Sequence, residues 1–219
     1  MNRITKLKRR YQNKAIAHNY DNERFGHFVG RTFDRLEKRA IKQILRYVRN
    51  AVESPNVLDL PCGTGRITEL LLEGGLNVVG ADVSEEMLAI GRQRCARFSS
   101  RIVFQQQDIH NLTLPEHGFD LVTCIRLLHH FGIVDRELIL KQLATLTSRF
   151  LLINVSYSSP FYRLRRRCKK VLRFGVPKNS STWSEIQRET AAAGLTIVTR
   201  LFVMPFVSED LLLLLSRKQ

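Results

Sequence analysis

From residue 56 onward, short apolar runs alternate with segments of helical spacing, and no other feature restricts the fold so tightly. Residues 57–60 read as a buried strand, about 65–73 as a helix, 77–81 as a strand, and "DVSEEMLAIGRQRC" as the next helix. Ser84 is a plausible N-cap there, with Glu85 and Glu86 favouring the helix N-terminus. Residues 101–106, "FDLVTCI" and "RFLLINV" supply three more strands, with a helix around 137–146 before the last of them. Strands alternating with helices build a parallel sheet with crossover helices on both faces. The helix "WSEIQRETAAAG" ends at Gly194, a good C-cap residue. Two strands then remain, 195–203 and 211–216, joined by a short loop with Pro and acids that suits an antiparallel hairpin at the end of the sheet. The expected fold class is α/β, mostly parallel, with an antiparallel C-terminal strand.

The first 53 residues differ in kind. They are basic and helical in pattern: Phe33, Leu36, Ala40, Ile41, Ile44, Leu45 and Val48 recur at three- and four-residue spacing, and Pro55 closes the region. The division expected is an N-terminal helical lid or cap over 1–53 and a core over 54–219. The core is interrupted at 157–180 by a basic insertion containing "PFYRLRRRCKKVLRFG". Thirty-five Lys plus Arg against 20 Asp plus Glu give a formal charge of +15, which favours anionic partners. Cys62, Cys95, Cys124 and Cys168 are scattered without C-x-x-C pairs or zinc spacing, so neither a disulfide framework nor a structural metal is expected. The basic start at residues 1–10 lacks the apolar stretch of a secretory signal. The run 211–215 is too short to span a bilayer. The expected location is cytoplasmic, peripheral at the membrane if the insertion binds lipid.

The ligand question centres on "NVLDLPCGTGRITELLLEGG", residues 56–75. In an open α/β sheet, ligands sit beyond the carboxyl ends of the strands, where strand order reverses. Gly63 and Gly65 let backbone approach a ligand, and the following helix offers free N–H groups. A dinucleotide fingerprint would need a small residue at 68, where this chain has Thr68, and the Lys-Ser/Thr pair of a triphosphate loop is missing. Asp59 instead ends the strand, a costly place for an acid without a cation or donors to meet it. Asp82, at the end of the second strand, is placed to accept from ribose hydroxyls. Asp108, after the third strand, is within reach of an adenine amino group. A phosphate-free ligand with an ammonium, a carboxylate and a ribose suits this set. S-Adenosylmethionine (SAM) is such a ligand.

Taken together, "VLDLPCGTGR", "VVGADVSEEML", "FQQQDIHNLTLP" and "FDLVTCIRLLHHF" resemble, in order and spacing, the successive motifs of class I SAM-dependent methyltransferases. The likeness covers roughly residues 57–155. Among subfamilies the chain is loosely similar to small methyltransferases of the ubiquinone and menaquinone biosynthesis type. The resemblance implies a Rossmann-like, doubly wound, seven-stranded sheet. It implies that Asp59 and the loop of Pro61, Cys62, Gly63 and Gly65 hold the methionyl end and Asp82 the ribose, with Val83 and Met87 also binding the cofactor. It further implies that Asp108 and the backbone of Ile109 hold the adenine, and that Ile125 and Arg126 line the cofactor near its sulfur. Pro61 is a departure, since many members carry glycine there, and it stiffens the turn. No metal is expected, and the product would be S-adenosyl-L-homocysteine.

Methyl transfer from a sulfonium mostly needs alignment and exclusion of water. A base enters only if the acceptor must lose a proton. His129 and His130 are the candidates, with packing against the cofactor as the competing reading; His110 is weaker because it flanks the adenine side. Tyr20, Arg24 and Phe25 lie in a segment that in similar enzymes folds over the site. The leading expectation is methyl transfer to a small-molecule or lipid-linked acceptor. One rival is an RNA acceptor, tracked by Arg163 to Arg173, which would equally suit an anionic membrane. Another is a SAM-binding regulatory protein without turnover.

Overall fold

The strands are β1 (Asn56–Asp59), β2 (Asn77–Asp82), β3 (Ile102–Gln106), β4 (Phe119–Cys124), β5 (Thr147–Ser156), β6 (Leu195–Phe202) and β7 (Asp210–Arg217). They form one sheet in the order β3-β2-β1-β4-β5-β7-β6. The computed structural model describes residues 14–158 and 179–217, with the side chains of 14–18 left aside. The expected basic insertion, with Cys168 and the Arg163 to Arg173 surface, lies outside the described residues apart from its ends.

The first five strands run parallel, and β7 lies antiparallel between β5 and β6. The leucine run explains that insertion. Leu211 to Leu215 are each no more than 1% exposed, because a strand covered on both faces is apolar at every position rather than at alternate ones. The run is therefore a central strand, and no helix among the described residues is long and apolar enough to cross a membrane.

Helices α1 (Lys14–Phe25) and α2 (Phe28–Ala51) precede the sheet, and α3 (Arg66–Glu73), α4 (Glu85–Arg94), α5 (Ile133–Leu146) and α6 (Trp183–Ala192) connect it. α2 buries Ile41, Ile44, Leu45 and Val48 in a core shared with α3, β1 and β7. α5 and α6 cover the opposite face, packing Ile139, Leu140, Leu143 and Ile186 on Val122, Leu151 and Leu213. Buried Arg136 fastens those two helices, reaching both carboxylate oxygens of Glu189 at 3.0 and 2.6 Å.

One helix start differs from the sequence expectation. α5 starts at Ile133 rather than near residue 137, because its N-cap is Gly132, without a side-chain cap, and its first residues Ile133 and Val134 face outward. α6 opens with a reciprocal capping box between Thr182 and Glu185. Strand order reverses between β1 and β4, so the loops after those strands diverge and leave a crevice.

Candidate functional site

The turn after β1 is held from both sides. Leu60 N donates to Thr123 O of β4 at 2.9 Å, and Cys62 N donates to Ala81 O of β2 at 2.8 Å. Gly63 and Gly65 adopt φ of +54° and +77°, where a side chain is disfavoured. Their surroundings separate them. A Cβ on Gly63 would meet nothing within 4 Å, whereas one on Gly65 would lie 3.0 Å from Gly91 Cα. Gly63 thus opens the backbone toward the cavity beside it, while Gly65 lets α3 approach α4 and does not line that cavity.

Asp59 and Asp82 divide in the same way. Asp59 is 1% exposed and lies beneath the turn, accepting from Thr68 Oγ1 and Thr123 Oγ1, each at 2.7 Å. It does not line the cavity. Thr68, which set the turn apart from a dinucleotide fingerprint, is the partner that lets a carboxyl occupy this strand end. Burial raises the Asp59 pKa to about 6 against those two hydrogen bonds. Between its unfolded and folded values the native state therefore holds more proton than the unfolded chain, so this group's contribution to stability falls as pH rises from about 4 to about 6. Asp59→Asn is expected to remove that loss. Relative to wild type, its unfolding free energy should improve by about 2 kcal/mol between pH 4.5 and pH 7.5. Urea titrations of both proteins check this, and parallel pH profiles would contradict it.

Asp82 faces the cavity. Its Oδ2 accepts from Gly63 N and its Oδ1 from Ser84 N, both at 2.9 Å. Burial raises its pKa, opposed by these backbone donors. Each oxygen retains acceptor capacity beyond one hydrogen bond. Ser84 caps α4 as expected, accepting from Met87 N at 3.2 Å.

The cavity opens to solvent beyond the strand ends and spans about 1040 Å³ when the solvent at its mouth is counted. Of the residues named from sequence, it brings together Tyr20, Pro61, Cys62, Gly63, Asp82, Val83, Met87, Asp108, Ile109, Ile125, Arg126 and His130. Asp108 accepts from His110 N at 3.1 Å, which turns the chain so that Ile109 and His110 both reach the wall. Leu60, Thr64, Arg66, Ile67, Gln107, Leu127 and Phe131 complete the wall without having been singled out beforehand.

The two adjacent histidines have different places. His130 lines the cavity and His129 does not, although their ring centroids are 4.1 Å apart. Burial, then the fields of His130, Arg24 and Arg126, lower the His129 pKa to about 3, so it stays neutral across the physiological range. His110 stands edge-on to Phe131, and its buried Nε2 has no hydrogen-bond partner.

The N-terminal helices reach the site through ion pairs that no local motif announces. Asp21 accepts from Thr64 Oγ1 at 3.0 Å and pairs with Arg94 Nη2 at 2.5 Å, tying α1 to the turn. Tyr20 lies on the wall with Arg24 over its ring; Phe25 is off the wall but lies under the guanidinium of Arg66, at 4.5 Å. Glu37 of α2 is fully buried between Arg66 Nη2 at 2.5 Å and Arg126 Nη2 at 3.2 Å, and Asp34 takes the other arm of Arg66. Burial opposes charge on both arginines. Glu37 and Asp34 overcome this at Arg66, raising its pKa, but Arg126 remains lowered. Arg126 is also in the left-handed region, φ +64°, a conformation costly outside glycine. It is held there by a 2.8 Å hydrogen bond from its N–H to Asn154 Oδ1.

Comparison with known proteins agrees with this geometry. The family described as "Methyltransferase domain" matches residues 57–149. Ubiquinone biosynthesis O-methyltransferase of Coxiella burnetii is 33% identical over 104 residues, 47% of this chain and 44% of that protein. Residues 57–149 are thus similar to a methyltransferase domain. A putative methyltransferase of Bacillus subtilis, YqeM, is 44% identical over 70 residues, 32% of this chain and 28% of that one. The chain spans less than half the length of these curated relatives. Magnesium protoporphyrin IX methyltransferase from Synechocystis PCC 6803, crystallised with SAM, superposes with a TM-score of 0.75 at 16% identity, covering 100% of this chain and 98% of that one. That likeness extends the shared fold beyond the matched domain to the N-terminal helices and the C-terminal hairpin.

The wall has features that suit SAM, the molecule crystallised with that neighbour. Open space stands at Gly63, an acid with spare acceptor capacity follows β2, and buried polar atoms without partners occur at His110 Nε2 and Arg126 Nε. Among the described residues no cluster of His, Cys, Asp and Glu could hold a metal ion.

Proposed function

We propose that this protein binds SAM in the cavity and catalyses transfer of its methyl group to a small-molecule acceptor. The observation carrying this reading is the pairing of Asp82 with the open turn at Gly63 on one wall of a cavity whose other walls are largely apolar. When bound, SAM supplies an electrophilic methyl group on a sulfonium with a neutral thioether as leaving group. Asp82 would receive the ribose hydroxyls, and Asp108 with the backbone of Ile109 the adenine edge. Gly63 would admit the methionyl tail toward Arg66 and Arg126. Asp59 would serve by holding the turn through Thr68 and Thr123 rather than by touching the ligand.

On the acceptor side, Leu127, Phe131 and Tyr20 would pack an apolar body and exclude water, which strengthens alignment. His130, which lines the cavity together with His110 on the adenine side, would take the proton of a hydroxyl acceptor. His129, held neutral and off the wall, would position its neighbour. A lipid-linked acceptor, with its polar end at His130 and its tail leaving by the mouth, is the finer form of this reading.

Titration calorimetry with SAM, S-adenosyl-L-homocysteine and NAD tests the ligand: the first two should bind and NAD should not. Labelled methyl transfer into separated small-molecule, lipid and RNA fractions tests the acceptor. His130→Ala should lower kcat about 10²-fold with unchanged cofactor affinity. Label confined to RNA, or full turnover by His130→Ala, would overturn the corresponding assignment.

A further inference from the structure

Arg126 stands on the cavity wall with its charge only partly answered. Its side chain is 12% exposed, and among the described residues its one acid contact is Glu37 Oε1, at 3.2 Å. That contact lacks hydrogen-bond geometry, since Glu37 Oε1 and Arg126 Nε are both buried without a hydrogen-bond partner. No side-chain N–H of Arg126 makes a hydrogen bond to a described residue, so the donors of its planar fork are unspent. Arg66 is the contrast on the same wall. It gives one arm to Asp34 and the other to Glu37 Oε2, each at 2.5 Å. Glu37 is therefore shared by two cations, and its hydrogen bond goes to Arg66.

The surrounding charges do not complete the answer. Asp210, whose field also reaches Arg126, is already engaged by Asn154 and Ser208. Arg24 adds a positive field instead. It makes no ion pair among the described residues and only a 3.5 Å contact to the Tyr20 hydroxyl. The guanidiniums of Arg24, Arg66 and Arg126 thus face the carboxylates of Asp34 and Glu37, which leaves one positive charge in excess. A cation so nearly buried is costly until an anion meets it, and one charge to be met favours a monoanion. The rings of Phe33 and Phe25 lie 4.6 and 5.5 Å from the guanidinium carbon, leaving the N–H edge of the fork for a ligand. A carboxylate is planar, and its two oxygens match such an edge bidentately.

Chain position gives this anion to the acceptor rather than to the cofactor. Arg66 directly follows the glycine turn, on the side given to the methionyl tail, whereas Arg126 sits in the loop after β4 with Leu127, His130 and Phe131. We propose that the acceptor carries a carboxylate and that Arg126 selects it, holding this group by paired hydrogen bonds while the methyl-receiving atom lies toward His130. This rests on the methyl-transfer reading and narrows its acceptor from any small molecule to an acid. The guanidinium draws electron density from both carboxylate oxygens, so the methyl is received elsewhere on the acceptor and the product remains an acid. A hydroxyl oxygen bonds the methyl carbon as the sulfur–carbon bond breaks. Its proton passes to His130, and S-adenosyl-L-homocysteine leaves with the electron pair.

The test is labelled methyl transfer by the full chain into the small-molecule fraction of an extract of its own host. An anion-exchange resin at neutral pH first divides that fraction into retained and unretained pools. Label should enter the retained pool, stay retained after transfer, and survive prior phosphatase treatment of the pool. Arg126→Gln should raise the amount of that pool needed for half-maximal rate by about 10²-fold, as expected for loss of a hydrogen-bonded charge pair. Its affinity for S-adenosyl-L-homocysteine, by calorimetry, should stay within about threefold of wild type. Arg126→Lys keeps a cation against Glu37 but loses the fork, so it should fall between the two, at about tenfold. Cooperative melting confirms that each variant folds; if Arg126→Gln does not, Arg126→Lys carries the same comparison. Label only in the unretained pool leaves methyl transfer standing and overturns the carboxylate. Label lost on phosphatase treatment, or a half-maximal amount that neither variant moves, also overturns it. So does a loss of S-adenosyl-L-homocysteine affinity of about tenfold or more in Arg126→Lys, which would seat the cofactor's own carboxylate at Arg126. No label in either pool defeats the methyl-transfer reading itself, and the acid acceptor with it.

Discussion

Asp82→Ala is expected to weaken S-adenosyl-L-homocysteine binding by at least 10²-fold, read by calorimetry at 25 °C. Two effects add. A hydrogen bond to a charged acceptor contributes about 1.5–3 kcal/mol, and the proposed ribose contact has two. The same carboxylate braces the binding surface, since Gly63 N and Ser84 N each donate to it at 2.9 Å. Alanine would leave both donors without that partner, so the turn should lose order together with its ligand contact. Asp82→Asn separates the effects. Its single amide oxygen can still receive one backbone N–H, and its amide nitrogen can still donate to a hydroxyl, so its affinity should lie between wild type and alanine. An alanine variant that folds and binds within threefold of wild type would remove Asp82 from the ligand.

The same pair of acids shows what was legible in the sequence. The alternation after Asn56 carried the sheet, the antiparallel last strand and the strand-end positions of Asp59 and Asp82, because each depends on local period and order. What period alone could not tell is which strand-end acid faces the cavity. Asp59 turns inward only because Thr68, nine residues on, and Thr123, on a strand 64 residues away, converge on it. Gly63 and Gly65 looked equivalent for a similar reason. The neighbour that sets Gly65 apart, Gly91, belongs to a different helix. His129 and His130 are adjacent letters, yet the short 3-10 turn they occupy sends only one ring to the wall.

The least legible part was the N-terminal contribution. The helical period of α2 identified its buried face correctly through Ile41, Ile44 and Val48, but a charged residue on that face, Glu37, breaks the apolar pattern. Its meaning depends on Arg66 and Arg126, which follow the first and fourth strands. Such a constellation leaves no local spacing to recognise. It also explains how a strained Arg126 is retained. Its backbone is fixed by Asn154, which itself donates to Asp210 at 3.1 Å, and its side chain is fixed by Glu37 and the ring of Phe33.

Glu37→Ala should therefore be among the most destabilising single substitutions in the chain. Glu37 is fully buried, and each of its oxygens faces a different guanidinium, Arg66 at 2.5 Å and Arg126 at 3.2 Å, both only 12% exposed. Truncating one member of a buried ionic cluster leaves the others charged and unanswered, at a cost of about 3–5 kcal/mol. Asp34 continues to serve Arg66, so most of the loss falls on Arg126, whose charge burial already opposes. A double-mutant cycle isolates this. With Arg126→Ala in place, removing Glu37 should cost about 2 kcal/mol less than in the wild-type background, because the orphaned cation is gone. Urea denaturation with an unchanged m-value measures both legs. A single-mutant loss below about 1 kcal/mol would mean that the cluster is solvated like a surface pair. Glu37 would then have no hold on the arginines that line the cavity. A loss in the expected range makes α2 part of the binding site's foundation, so truncations before β1 should cost ligand affinity as well as stability.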